Sequence, residues 1–205
     1  MSEGVPADRL KRALGATADI VAGVRADQWN TPTPCAEWNA RALLNHLVVG
    51  NHLFADLLSG AEPPSPEQRR ASFAVDRLGD DLLAAYRDSA SALVTAFRRP
   101  GVLEQVFQAP IGAAPGAVLL RLRLTEALVH GWDLARATGQ PARLPDDLAE
   151  EALAFSRGAS APDVPRTGNP FGPAQPVPDD APAVDRLAAY LGRRVEFQAS
   201  GAEGA

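Results

Sequence analysis

The chain has 205 residues, a net charge of −5 and one cysteine, Cys35. That length defaults to a single domain with a real core, and its scattered basic residues leave no nucleic-acid or membrane-surface footprint. One cysteine forbids an internal disulfide and suits a reducing compartment. There is no charged start followed by an apolar stretch, and no apolar run reaches the ~18–20 residues of a spanning helix, so a cytoplasmic protein is expected. Lys11 is the only lysine among 20 basic residues, a bias that says nothing about function.

Leu10, Leu14, Ile20, Val21 and Val24 recur at helical spacing and predict a first helix from Ala7 to about Gln28. Pro32 and Pro34 break it, because each biases its predecessor away from the helical region. Asn39 is a good N-cap for a second helix, which runs to Ser59 and stops at Gly60. Residues 61–66 contain three prolines and read as loop. Glu67 to Arg98 reads as largely helical with an interruption near Gly79, ended by Pro100 and Gly101. Val102 to Phe107 reads as a short extended piece and Ala109 to Pro115 as a turn-rich connector. Gly116 or Ala117 opens a long helix that Gly139 and Pro141 close. Pro145 to Ser156 makes a short helix, and residues 158–182, rich in Pro, Gly and Asp, make a surface loop or flap. Asp185 to Gly192 adds a final helical turn or two, and the tail from Ala199 is expected to fray. Strand patterns are almost absent. These elements predict an all-α fold, a four-helix bundle with additional C-terminal helices.

The chemistry concentrates in the long helix from residue 116. Glu126 and His130 stand four residues apart and so share one helical face, together with Leu119, Leu122, Val129 and Ala137. Two polar, metal-competent groups are thus planted in an apolar stripe, where an unpaired charge is costly. His46 flanks a similar stripe formed by Leu43, Leu47, Gly50, Phe54 and Leu57. His52 acts as a control, because it lies about 180° around the helix from Leu43. Two His and one Glu from two helices are what a divalent metal with an open coordination position needs. The competing reading makes His46 and His130 hydrogen-bonded core histidines and pairs Glu126 with Arg123. Asp133 lies about 60° from His130 and about 20° from Glu126 around the helix. It is placed to accept the second ring N–H of a ligating His, or else to pair with Arg136. Cys35 reads as a small packed residue at the mouth of the second helix, the alternative being a reactive thiol near the site. Trp38 and Trp132 read as core or pocket-wall aromatics.

The run Thr33-Pro34-Cys35-Ala36-Glu37-Trp38, continued by Leu43-Leu44-Asn45-His46-Leu47, resembles the opening motif of a bacterial family. That family is related to the mycothiol-dependent maleylpyruvate isomerase metal-binding domain and belongs to the DinB-like superfamily. Glu126-Ala127-Leu128-Val129-His130-Gly131-Trp132-Asp133-Leu134-Ala135 resembles its second signature. Phe171-Gly172-Pro173, Val177-Pro178, Asp185-Arg186-Leu187 and Leu191-Gly192-Arg193 resemble its C-terminal part. The resemblance implies a DinB-like four-helix bundle with a divalent metal, zinc first and nickel second, held by His46, Glu126 and His130. Residues 1–140 would then form the metal-binding bundle, and 141–205 a C-terminal helical extension of the same domain.

A metal of this kind deprotonates a coordinated thiol or activates bound water. The expected function is therefore a metal-assisted thiol transferase or isomerase acting on a small electrophile, with mycothiol as co-substrate. The alternative is a non-catalytic metal- or ligand-binding bundle. Partners would be a small-molecule thiol and an electrophile, with no nucleic acid and no membrane, the protein being a monomer or homodimer. Ser-His-Asp order, a phosphate-cradling loop and a dinucleotide fingerprint are all absent from the sequence.

Overall fold

The computed structural model describes residues 4–36, 38–159 and 172–196. Its helices are α1 (Gly4–Ala22), α2 (Ala40–Leu58), α3 (Pro66–Ala74), α4 (Leu82–Phe97), α5 (Gly116–Thr138), α6 (Asp146–Ala159) and α7 (Ala183–Tyr190). Helices α1, α2, α4 and α5 form the bundle. Helix α2 packs mainly on α4 and α1 mainly on α5, while α6 and α7 pack on each other and on α5. The fold is all-α with extra C-terminal helices, as the periodicity predicts. No described helix is long and apolar enough to cross a membrane.

Local chemistry accounts for the helix ends. Asn39 is extended, and its side chain accepts the Ala42 N–H at 2.8 Å, which opens α2 by satisfying a first-turn donor. Gly139 closes α5 at φ 68°. Helix α1 stops at Ala22, earlier than the periodicity suggests, and Ala26–Gln28 forms a separate 3₁₀ turn. Long-range partners end it there: the Gln140 amide donates to Ile20 O at 3.0 Å and the Gln28 amide to Thr138 O at 3.0 Å.

Two other stretches refine the sequence expectation. The segment from Glu67 to Arg98, expected as largely helical with an interruption near Gly79, is two helices, α3 and α4, separated by residues 75–81. Between them the chain bonds to α2 rather than to itself: Asn45 donates to Val75 O at 2.9 Å and accepts the Arg77 N–H at 2.8 Å. The connector after α4 is a two-stranded antiparallel hairpin, β1 (Val106–Ala109) and β2 (Gly112–Pro115), pairing Val106 with Pro115 and Ala109 with Gly112. The extended piece expected over Val102 to Phe107 overlaps β1 only at its end, and β2 is too short to show period-two alternation. The expected loop over 158–182 lies outside the described residues from 160 to 171, and the tail from Ala199 lies outside them entirely.

Helix α5 is buried along nearly its whole length, between α1 and α2 on one side and α6 and α7 on the other. A charge on the covered faces has no water to receive it. Gly131 allows the closest of these approaches, because a Cβ there would stand 2.7 Å from Thr17 Oγ1 of α1. Thr17 Oγ1 donates across the gap to Ala127 O at 2.9 Å. The large core side chains Leu43, Leu47, Leu93, Leu119 and Trp132 fill the interior around α5. Arg121 reaches solvent, but Arg123 and Asp133 are buried and must find partners inside the protein.

Candidate metal centre

Helices α2 and α5 face one another where His46, Glu126 and His130 project. One donor atom from each of the three lies within 4.8 Å of the others. His46 Nε2 is 3.2 Å from Glu126 Oε2, and His130 Nε2 is 3.4 Å from the same oxygen. The His130 side chain is 3% exposed, whereas those of His46 and Glu126 are each 20% exposed, so the cluster opens to solvent on the α2 side. His52 is exposed on the opposite face of α2.

Aromatic rings fix the orientation of His46. Trp38 stacks on one side at a centroid distance of 4.4 Å and Phe73 on the other at 5.1 Å. Trp38 also meets His130 edge-on at 5.9 Å. It is thus a wall of the site, carried there by the turn before α2, while Phe73 comes from α3. Trp132 is instead a core residue, with its indole N–H donated to Asp185 at 2.6 Å. Cys35 is half-buried and packed against the apolar core beside the start of α2.

Two polar chains run inward from the cluster. In the first, Arg123 Nη1 stands 3.8 Å from Glu126, and Arg123 Nη2 donates to Asn51 Oδ1 at 2.8 Å. Asn51 donates in turn to Ser89 at 3.1 Å. In the second, His130 Nδ1 lies 3.0 Å from Asp133 Oδ2. Asp133 is fully buried and is gripped by Arg193, whose Nε and Nη2 donate to its two oxygens at 3.3 and 3.1 Å. Arg136, the sequence candidate for this pairing, goes to Asp185 at 3.0 Å instead. In the sequence Arg193 stands out only within Leu191-Gly192-Arg193 and by its place just after a glycine that ends a helix.

The charges respond to this packing. Burial opposes ionisation of Glu126, but hydrogen bonds from His130 and His46 outweigh it and hold the carboxyl well below its ordinary range. Burial also opposes protonation of His130, yet its bonds to Asp133 and Glu126 prevail and raise its pKa. For His46 burial wins, and its pKa is lowered despite Glu126. Two imidazoles of opposite tendency thus share one carboxylate.

The donor set fits a divalent ion. With Nδ1–H of His130 bound to Asp133, the neutral ring keeps its lone pair on Nε2, facing Glu126 and His46. Two imidazole nitrogens and one carboxylate oxygen form a mixed N/O set that suits zinc and its neighbours.

Fold and site together define a class, the helical bundles with two His and one Glu converging between two helices. The chain belongs to the mycothiol maleylpyruvate isomerase N-terminal domain family, whose model matches residues 10–135. Two uncharacterized proteins of Mycobacterium tuberculosis, one from each of two strains, are each 40% identical over 185 residues, covering 90% of this chain and 96% of their own. The crystal structure of the mycothiol-dependent maleylpyruvate isomerase superposes with a TM-score of 0.62 at 18% identity, over 75% of this chain and 68% of that one. A histidine-to-alanine variant of that enzyme matches equally well, at 17% identity. At such identities these structures establish the shared fold.

Proposed function

We propose that this protein binds one divalent metal, zinc first and nickel second, through His46, Glu126 and His130, and acts as a thiol transferase or isomerase on a small electrophile. The observation that carries the reading is the convergence of three donor atoms within 4.8 Å from two helices, α2 and α5. Family membership supports mycothiol as the thiol. A cation held by two neutral imidazoles and a carboxylate retains a net positive charge, which lowers the pKa of a coordinated thiol or water.

The chain's own residues divide the remaining work. His46 and His130 offer Nε2, and Glu126 offers a carboxylate oxygen. Asp133 takes the second ring proton of His130 and keeps its donor nitrogen directed at the site. Trp38 and Phe73 flank His46 and shield that side of the cluster from water. The partially exposed edge formed by His46 and Glu126 is where a small molecule would enter. A cytoplasmic setting follows from the need for a reduced thiol. The proposed working unit is a monomer or homodimer with small-molecule partners, without nucleic acid or membrane. Residues 1–140 would form the metal-binding bundle, with 141–205 as its extension.

Elemental analysis of protein purified without an affinity tag is the first test, with one metal per chain expected. A conjugation assay with mycothiol and a generic electrophile is the second. Metal without conjugation would replace the enzyme reading by a non-catalytic metal- or ligand-binding bundle. No metal would return His46 and His130 to the role of hydrogen-bonded core histidines.

A further inference from the structure

The fork between Arg193 and Asp133 joins residues 60 apart in sequence, and the backbone geometry that delivers it is specific. Helix α7 ends at Tyr190, and Gly192 follows at φ 91°. The Gly192 N–H bonds to Ala189 O at 3.0 Å and the Arg193 N–H to Ala188 O at 3.0 Å. This is the Schellman pairing, in which a left-handed residue turns the chain back over the last helical turn. Gly192 is required twice over: its φ disfavours a side chain, and a Cβ there would lie 2.8 Å from the backbone of Gly172. The turn sends Arg193 inward, where it is 5% exposed. Its Nη1 donates to Leu191 O at 2.8 Å, while Nε and Nη2 grip Asp133.

An isolated carboxylate at the position of Asp133 would be free to rotate toward whichever proton its neighbour offered. The two-point guanidinium fork removes that freedom, because it occupies both oxygens in one plane. One lone pair then remains on each oxygen, and the one on Oδ2 meets His130 Nδ1 at 3.0 Å. We infer that Arg193 is a positioning residue for His130: through Asp133 it holds the imidazole as the Nδ1–H tautomer, so that Nε2 faces Glu126 and His46. The segment after α7 thereby sets the geometry of a cluster built wholly from α2 and α5. The consequence for metal rests on the metal reading proposed above; the consequence for the tautomer does not.

The test uses the full chain as wild type, Arg193→Met, Asp133→Asn and the double variant. Two quantities are measured: zinc affinity by chelator competition, and the ring ¹⁵N shifts of His130 in zinc-free protein. Each single variant should lose about 10–100-fold in zinc affinity, and the double variant should lose no more than the worse single one, since both act through one contact. At alkaline pH, where the ring is neutral, the zinc-free wild type should show the Nδ1–H tautomer and Arg193→Met should lose it. Arg193→Lys, which keeps the charge but not the fork, should recover only part of the affinity. If Arg193→Met fails to fold, Arg193→Lys and Asp133→Asn carry the same comparison. A merely structural Arg193 would lower thermal stability while leaving tautomer and affinity unchanged, and that result overturns the inference. Additive losses in the double variant overturn it too. A wild type that takes up no zinc overturns the metal reading alone, and the tautomer comparison then decides the role of Arg193.

Discussion

His46 on α2 and Glu126 on α5 are 80 residues apart in sequence, yet His46 Nε2 stands 3.2 Å from Glu126 Oε2. Within its own helix Glu126 also faces Arg123 at 3.8 Å, so His46 is the partner that only the packing of α2 on α5 supplies. The contact also brings His130 into the same group, because one helical turn separates it from Glu126.

Replacing His46 or His130 with alanine should abolish stoichiometric zinc binding, whereas His52→Ala should retain one zinc per chain. His52 shares α2 with His46 but is exposed on the other face. Elemental analysis of the three variants checks this, and equal loss from His52→Ala would defeat the assignment. Stripping the metal should also lower the melting temperature, since ligand at about 100 times its Kd stabilises by about 2.7 kcal/mol.

Glu126→Gln should weaken zinc binding far more than Glu151→Gln. The amide keeps the shape of Glu126 but loses the charge that complements the cation. Glu151 sits on α6 beside Arg9 at 2.6 Å, away from the cluster. Titration of both variants with a zinc indicator distinguishes them. Unchanged affinity in Glu126→Gln would mark that residue as a structural partner of Arg123.

The zinc-free protein should be most stable near pH 6.5, the ordinary value for a histidine, as far as these two groups decide it. The His130 pKa is raised on folding, so its contribution is full below that pH and is lost as pH rises through the folded value. The His46 pKa is lowered, so its contribution is full above that pH and is lost as pH falls through the folded value. Thermal melts from about pH 5 to about pH 8 in the presence of a chelator test both arms. His130→Ala should remove the alkaline fall and leave the acid one.

Arg123→Met should destabilise the fold without changing metal stoichiometry. The substitution strands the buried Asn51 carbonyl oxygen that Arg123 Nη2 occupies at 2.8 Å. An unsatisfied buried acceptor costs about 1–3 kcal/mol, readable as a shift in the urea midpoint. Adding Asn51→Leu should restore part of the loss, because removing both partners is less harmful than removing one.

The bundle was legible in the sequence wherever periodicity and punctuation agreed. The apolar spacing of α2 and α5, the Asn39 cap and the Gly139 stop all act within one or two turns of chain, and the structure keeps them. Boundaries moved where a distant residue intervened, as Gln140 does at the end of α1 and Asn45 between α3 and α4. Of the hairpin at residues 106–115 only an extended piece ending at Phe107 was legible, because its strands have four residues each, too few for alternation to register.

The candidate site divides in the same way. Helical phase alone put Glu126, His130 and Asp133 on one face and separated His46 from His52, because side-chain direction around a helix depends only on residue number. Which Arg would meet Asp133 could not be read that way. Arg136 is three residues away and Arg193 is sixty, yet the fork comes from Arg193. That choice depends on how α7 packs on α5 and on the backbone turn at Gly192. Sequence determined the direction in which each helical side chain points; only the tertiary structure decided what stands opposite it, because pairing depends on helix packing that no local rule contains.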